Sequence, residues 1–268
     1  MAILSLLRPS DILVLSRVSK SLREFILMDE ARVAKNIIHL RYSILERCLL
    51  RPVLLRDVDL AIQPLLTSPD RRDIRLSQRN VFQNIPRPDN SLICTCLTCL
   101  VRWDILCVAV DFAHWQDHLD KGEPIPAIPR GTFPSWNQEL IARNARIVSK
   151  ALTSPLWYAR ILDTHLESTV RSIRRHSQNK ADKRPHFHMT DEDVRAGTDV
   201  FLQRQGPPFF DYIFSRDAYY MLEAFLPGRS WITEQNKWVY VANGQQWHER
   251  DLELVVKAAA PNRETRGS

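Results

Sequence analysis

The chain has 268 residues, 44% hydrophobic and 25% charged, with a formal net charge of +6. That length suits one large domain, or a small module beside a medium one, and most of it is expected to fold around a real core. Seven glycines disfavour phosphate-cradling loops, five cysteines do not suggest a disulfide scaffold, and no apolar run is long enough to span a bilayer.

In chain order, Ser10 is a helix N-cap candidate with Asp11 in the first turn. Ile12, Leu13, Leu15 and Val18 recur at helical spacing, followed by Leu22, Phe25 and Ile26, which predicts two short helices with crowded apolar faces. A third helix is expected over Glu30 to Leu50, stopped by Pro52. Residues 51–90 are broken by five prolines and read as an irregular connection. Leu92 to Leu119 is a dense apolar and aromatic stretch carrying four of the cysteines, and Lys121–Pro134 is a Pro-rich loop. Helices are expected over Trp136–Leu152 and Pro155–Arg175, the second capped by Ser154 with proline in its first turn. Asp191–Gln203 is expected to be helical behind Thr190, with Asp193 completing a relative of the capping box. Ser230–Thr233 and Lys237–Ala242 read as a small β-hairpin, Glu249–Ala259 as a last helix, and residues 261–268 as a disordered tail.

The order of residues at the start says more. Residues 3–27, ILSLLRPSDILVLSRVSKSLREFIL, resemble the second half of an F-box. Ile3-Leu4 and Leu7 close a first helix, Pro9-Ser10-Asp11 breaks it, and Ile12-Leu13, Leu15-Ser16, Val18-Ser19-Lys20 and Leu22-Arg23 follow in register. The remainder is similar to the bodies of F-box proteins abundant in filamentous fungi, through CTCLTCLVRWDILCVAVDFAHWQ, SPLWYARILDTHLESTVRSIRRH and WVYVANGQQWHERDL. The resemblance implies a mainly α fold: partial F-box helices over 1–28, then an irregular helical body over 29–260 with a small C-terminal hairpin. It also implies a non-enzymatic, intracellular substrate adaptor of a cullin–RING ubiquitin ligase, cytoplasmic or nuclear and without a cofactor. Leu4, Leu7, Pro9, Leu13, Val18 and Leu22 would then meet a Skp-type adaptor subunit, as interface or as module core, while the body recruits a protein substrate around the Pro-rich loop and hairpin. An F-box ordinarily opens about a dozen residues earlier with Leu-Pro-x-Glu. Starting at Met1-Ala2-Ile3, this one is expected to be truncated and to bind Skp weakly, since anchors rather than area carry affinity.

Two rival readings come from other classes. Cys94, Cys96 and Cys99 offer thiolates at a spacing zinc uses, but the second pair of ligands is missing, and His114 and His118, one helical turn apart, are the candidates to complete it. Without metal, these cysteines are small buried hydrophobes. His114-Trp115-Gln116-Asp117-His118 also approximates an inverted zinc-protease motif, with Asp a methylene short of Glu. Finally, Arg171, Arg174, Arg175, His176, Lys180, Lys183 and Arg184 form a basic stretch that suits either a nucleic-acid contact or a solvated helix face. It lacks the interleaved aromatics of a single-strand binder.

Overall fold

The structure is a computed structural model that describes residues 2–68, 82–179, 186–204, 214–222, 225–226, 229–240 and 247–259. The expected tail at 261–268, residues 180–185 of the basic stretch and the last two positions of the expected hairpin lie outside the described residues. The described part is mainly α-helical. Among the described residues no helix is long and apolar enough to cross a membrane.

The first 28 residues hold three short helices rather than two: α1 (Ala2–Leu6), α2 (Pro9–Leu15) and α3 (Lys20–Met28). Pro9 occupies the first turn of α2, where its missing N–H removes no helical bond. That places the N-cap at Arg8, and Ser10, the expected cap, falls inside the helix. Ser19 caps α3 by accepting from the Leu22 N–H at 3.1 Å.

The single helix expected over residues 30–50 is two, α4 (Glu30–Arg41) and α5 (Ser43–Cys48), divided at Tyr42. The break has a long-range cause. The buried Asp199 carboxylate accepts from the N–H groups of Ile44 at 2.7 Å and Leu45 at 2.9 Å, capping α5 from far along the chain. Next, Val53–Leu55 runs beside Leu92–Cys94, joined by Leu55 N–H to Leu92 O (3.0 Å) and Cys94 N–H to Val53 O (2.9 Å). Between them lies α6 (Gln63–Thr67).

The apolar stretch after Leu92 becomes α7 (Leu97–His114) and α8 (Gln116–Lys121), the latter closed by Gly122 in the left-handed region at φ +70°. α7 is buried on nearly every side, as a helix apolar all round must be. α9 (Ser135–Thr153) and α10 (Pro155–Gln178) match expectation closely, because Ser154 and Pro155 encode the start of α10 locally; Ser154 Oγ accepts from Trp157 N–H at 3.3 Å.

α10 is the axis of the body. It packs against α2 and α4 on one side and against α7 and α9 on another. The main apolar core gathers Ile12, Ile37, Tyr42, Trp103, Leu106 and Leu162 from these helices. α11 (Asp191–Ala196) carries the full capping box between Thr190 and Asp193, but ends at Gly197 (φ +59°), well short of residue 203. A 3₁₀ turn over Val200–Gln203 follows. β1 (Arg229–Ile232) and β2 (Lys237–Tyr240) pair antiparallel, Trp231 opposite Trp238, and α12 (Trp247–Ala259) lies against α7 and α6.

One core residue makes the fold acid-sensitive. His165 on α10 is buried, its Nδ1 meets no partner, and burial pushes its pKa down to about 4 despite a hydrogen bond with the Phe225 backbone. An unfolded histidine takes its proton near pH ~6.5, so between these values the unfolded chain binds more protons and stability falls as pH falls. Lowering the pH from 7 to 4.5 is expected to cost about 2–3 kcal/mol through this group. Urea unfolding at both pH values checks it, because a His165→Leu variant should lose that share of the pH difference.

Candidate functional site

Two places in the described structure concentrate chemistry beyond ordinary packing. The first is the outward side of α1–α3. Seven of the eighteen large apolar side chains left exposed among the described residues fall here: Ile3, Leu6, Val14, Val18, Phe25, Leu27 and Met28. Singly exposed apolar residues need no explanation, but this concentration within one tenth of the chain marks a surface unlike the rest. Ile3 and Leu6 are one turn apart on α1, as are Phe25 and Met28 on α3. Beside them a groove of about 650 Å³ runs between α2–α3 and the α9–α10 junction, lined by Leu13, Val18, Ile26, Leu27 and Trp157.

The expected partner residues divide. Val18 is 71% exposed, whereas Leu4 and Pro9 are buried, α1 resting on α4 and α2 on α10, so these two serve the protein's own core. Leu7, Leu13 and Leu22 are partly buried against that core. Ile3, Leu6, Phe25 and Met28, absent from the expected set, carry more exposed apolar surface than most of it.

Polar bonds fix this module onto the body. Arg8 Nη2 donates to Asp163 Oδ1 at 2.8 Å and also pairs with Glu167, both on α10. Asp163, itself buried, accepts further from Tyr42 Oη at 2.8 Å and Arg160 Nη1 at 2.6 Å. Burial and the Asp163 charge push the Tyr42 hydroxyl well above its usual range, so it stays a donor. Arg41 Nη2 donates to Leu6 O at 2.6 Å, and within the body Glu30, just after α3, accepts from Leu156 N–H at 3.1 Å.

The second place is a cluster of four donors. Cys94 Sγ, Cys96 Sγ, Cys99 Sγ and a ring nitrogen of His248 all lie within 4.8 Å of one another, and all four residues are buried. His248 Nδ1 is 3.3 Å from Cys96 Sγ and 3.5 Å from Cys99 Sγ. Cys94 reaches this point on the extended pairing with Val53, Cys96 as the N-cap of α7, Cys99 from its first turn, and His248 from the first turn of α12. Thr98 N–H donates to Asp251 at 2.7 Å, a second tie between α7 and α12. An apolar shell of Val58, Leu66 and Val255 surrounds the cluster.

Each sulfur accepts one backbone N–H at 3.4 Å: Cys94 from Cys96, Cys96 from Cys99, and Cys99 from Val53. Crowding raises the pKa of two of the thiols, Cys99 far upward through Cys94, Cys96 and burial in that order, and Cys96 upward chiefly through Cys94.

The three cysteines weighed as candidate ligands therefore converge, but the histidine beside them is His248 and neither His114 nor His118. His114 Nδ1 lies 3.1 Å from Arg143 Nη2, and both it and His118 edge onto Trp115. Asp117, the would-be base of the protease-like motif, is bound by Arg171 at 2.6 Å, which holds its carboxyl below the usual range.

The basic stretch is largely neutralised where it is described. Arg171 also bonds Asp120 at 2.7 Å, Arg175 bonds Gln116 at 2.8 Å and Asp120 at 2.5 Å, and Arg174 lies 3.8 Å from Asp191.

A third constellation is structural. Asp111, fully buried on α7, receives a two-pronged bond from Arg216 (2.8 Å each), Tyr219 Oη at 2.9 Å and Asn144 Nδ2 at 3.2 Å. Arg216 also donates to Asn137 Oδ1 at 2.9 Å and sits between Trp115 and Trp136 at 5.2 and 5.6 Å from their ring centres. The network anchors the 3₁₀ turn Arg216–Tyr220 below the Pro-rich loop, whose Ile125 N–H donates to Tyr220 Oη at 2.8 Å. A cavity of about 580 Å³ opens nearby, lined by Phe82, Pro86, Asp104, Phe133 and Ile141.

Comparison with protein-family models, with curated proteins and with solved structures returns no match.

Proposed function

We propose that this chain is a non-catalytic F-box-type adaptor whose α1–α3 module docks on a Skp-type subunit while the helical body presents a protein substrate to a cullin–RING ligase. The reading rests on the F-box-like order of residues 3–27, and one structural observation carries it. The module is apolar on two sides, one buried on the body and the other, with Val18, Phe25 and Met28, facing outward. A helix face that serves only its own core has no need of a second apolar side, whereas helix-on-helix association uses aliphatic and aromatic anchors of this kind. The ties from Arg8 to Asp163 and from Leu6 to Arg41 hold that side at a fixed attitude to the body, as a bridge between substrate and ligase needs. The cavity beside the Pro-rich loop, with Phe133 exposed at its edge, is the substrate-side surface.

Titration calorimetry of the full chain against a purified Skp-type subunit tests this. Binding in the micromolar range is expected, weakened roughly tenfold or more, about 1.4 kcal/mol, by Val18→Asp or Phe25→Asp. Both positions are solvent-facing, so the variants should keep wild-type unfolding curves. Equal affinity in wild type and variants, or no heat at ~100 µM, would overturn the adaptor reading.

A further inference from the structure

We propose that Cys94, Cys96, Cys99 and His248 bind one Zn²⁺ in a closed tetrahedral site that fastens the C-terminal helix α12 to the body. Nothing in this depends on the adaptor function.

The donor set is the starting point. Zinc in structural sites takes four N or S ligands, with Zn–S near ~2.3 Å and Zn–N near ~2.0 Å, so tetrahedral donors stand roughly 3.3–3.8 Å apart. The imidazole nitrogen at 3.3 and 3.5 Å from two sulfurs already fits that spacing, and the whole set lies within 4.8 Å. A rotation of the cysteine side chains closes the remainder.

The backbone around the sulfurs is arranged to receive metal-bound thiolates. Three backbone N–H groups each point at a different sulfur. A neutral thiol is a poor acceptor, while a metal-bound thiolate takes such bonds as charge-assisted ones. Cys96 is the N-cap of α7, an 18-residue helix whose positive end faces the cluster. Three thiolates, one neutral imidazole and Zn²⁺ leave a single negative charge, which that helix end and the N–H groups offset. Without a cation, three buried sulfurs and an imidazole nitrogen crowd one another with no ion to share. Soft sulfur ligands in tetrahedral number select zinc over the harder cations that prefer oxygen.

The role follows from the coordination count. Protein fills all four positions, so no place is left for water or substrate, and the site is structural. His248 and Asp251 carry α12 to the start of α7, and among the described residues Leu252 and Val255 add apolar contact there. The metal would thus govern whether α12 stays docked.

Mass spectrometry of the purified full chain should find about one zinc per chain, falling below about one in ten for His248→Ala. Because Cys96→Ser or His248→Ala can also damage folding, the wild type gives an independent readout. Exchange into Co²⁺ should produce thiolate-to-metal absorption and the visible bands of a tetrahedral ion, abolished by excess zinc. Chelation should raise amide hydrogen exchange across residues 247–259 by roughly tenfold or more while α9 and α10 are unchanged. Trace zinc in the wild type with no tetrahedral cobalt spectrum, or undiminished zinc in His248→Ala, would overturn the proposal.

Discussion

Replacing Asp111 with leucine is expected to destabilise the protein by about 3–5 kcal/mol. The carboxylate is fully buried and its main partner, Arg216, has a side chain only 10% exposed. Removing the acid leaves a guanidinium held between two tryptophans with two of its three hydrogen bonds unmade, and that uncompensated charge is the source of the cost. Tyr219 adds to it. Burial and then the Asp111 charge hold its hydroxyl protonated as a donor, and the donor would lose its acceptor. The pair should be strongly coupled. Asp111→Leu together with Arg216→Met removes both charges, and most of the lost stability should return, since apolar replacement of a whole buried pair is often neutral. A double-mutant cycle by urea unfolding measures this, and additive losses would show that the network is not a unit.

Asp163→Ala is expected to cost about 2–4 kcal/mol, somewhat less because Arg8, one of its partners, is 41% exposed and regains water when released. Its effect is also local in a way the first is not. Asp163 is where Arg8 from the α1–α2 junction, Tyr42 from the end of α4 and Arg160 of α10 meet. Without it, α1–α3 keep apolar packing, the more exposed Arg8–Glu167 pair and the Arg41–Leu6 bond against the body. Amide exchange should rise over residues 2–28 before the rest of the chain responds. Uniform loosening of every helix would contradict the picture of a separately pinned module.

What the sequence made legible tracks the distance over which each feature is encoded. The starts of α10 and α11 are readable because Ser154-Pro155 and Thr190 with Asp193 act within three residues of themselves. The division at Tyr42 is not, since it depends on Asp199 reaching the N–H groups of Ile44 and Leu45 across more than 150 residues. The candidate metal site splits along the same line. Cys94, Cys96 and Cys99 announce themselves by spacing, and the fourth donor lies 149 residues beyond Cys99. His114 and His118 are nearer in sequence, yet α7 carries them to the opposite end of its 18 residues. The one hint was that His248 opens an amphipathic helix with Asp251 three residues on, a weak signal before the helices are assembled. For α1–α3 the pattern showed short helices with crowded apolar faces, but only packing on α4 and α10 determines that Leu4 and Pro9 turn inward and Val18 outward.

The long separation between Cys99 and His248 bears on how the molecule is made. A ribosome adding roughly 5–20 residues per second delivers the sulfurs roughly seven to thirty seconds before the imidazole. Over that interval the front of α7 is without the element that later covers it, and a nascent chain carries three neighbouring thiols open to oxidants and to stray soft metals. Final closure therefore belongs to the period after most of the polypeptide has left the exit tunnel. Premature termination shortly before residue 248 would leave α7 and α10 in place but remove the histidine that reaches Cys96 and Cys99.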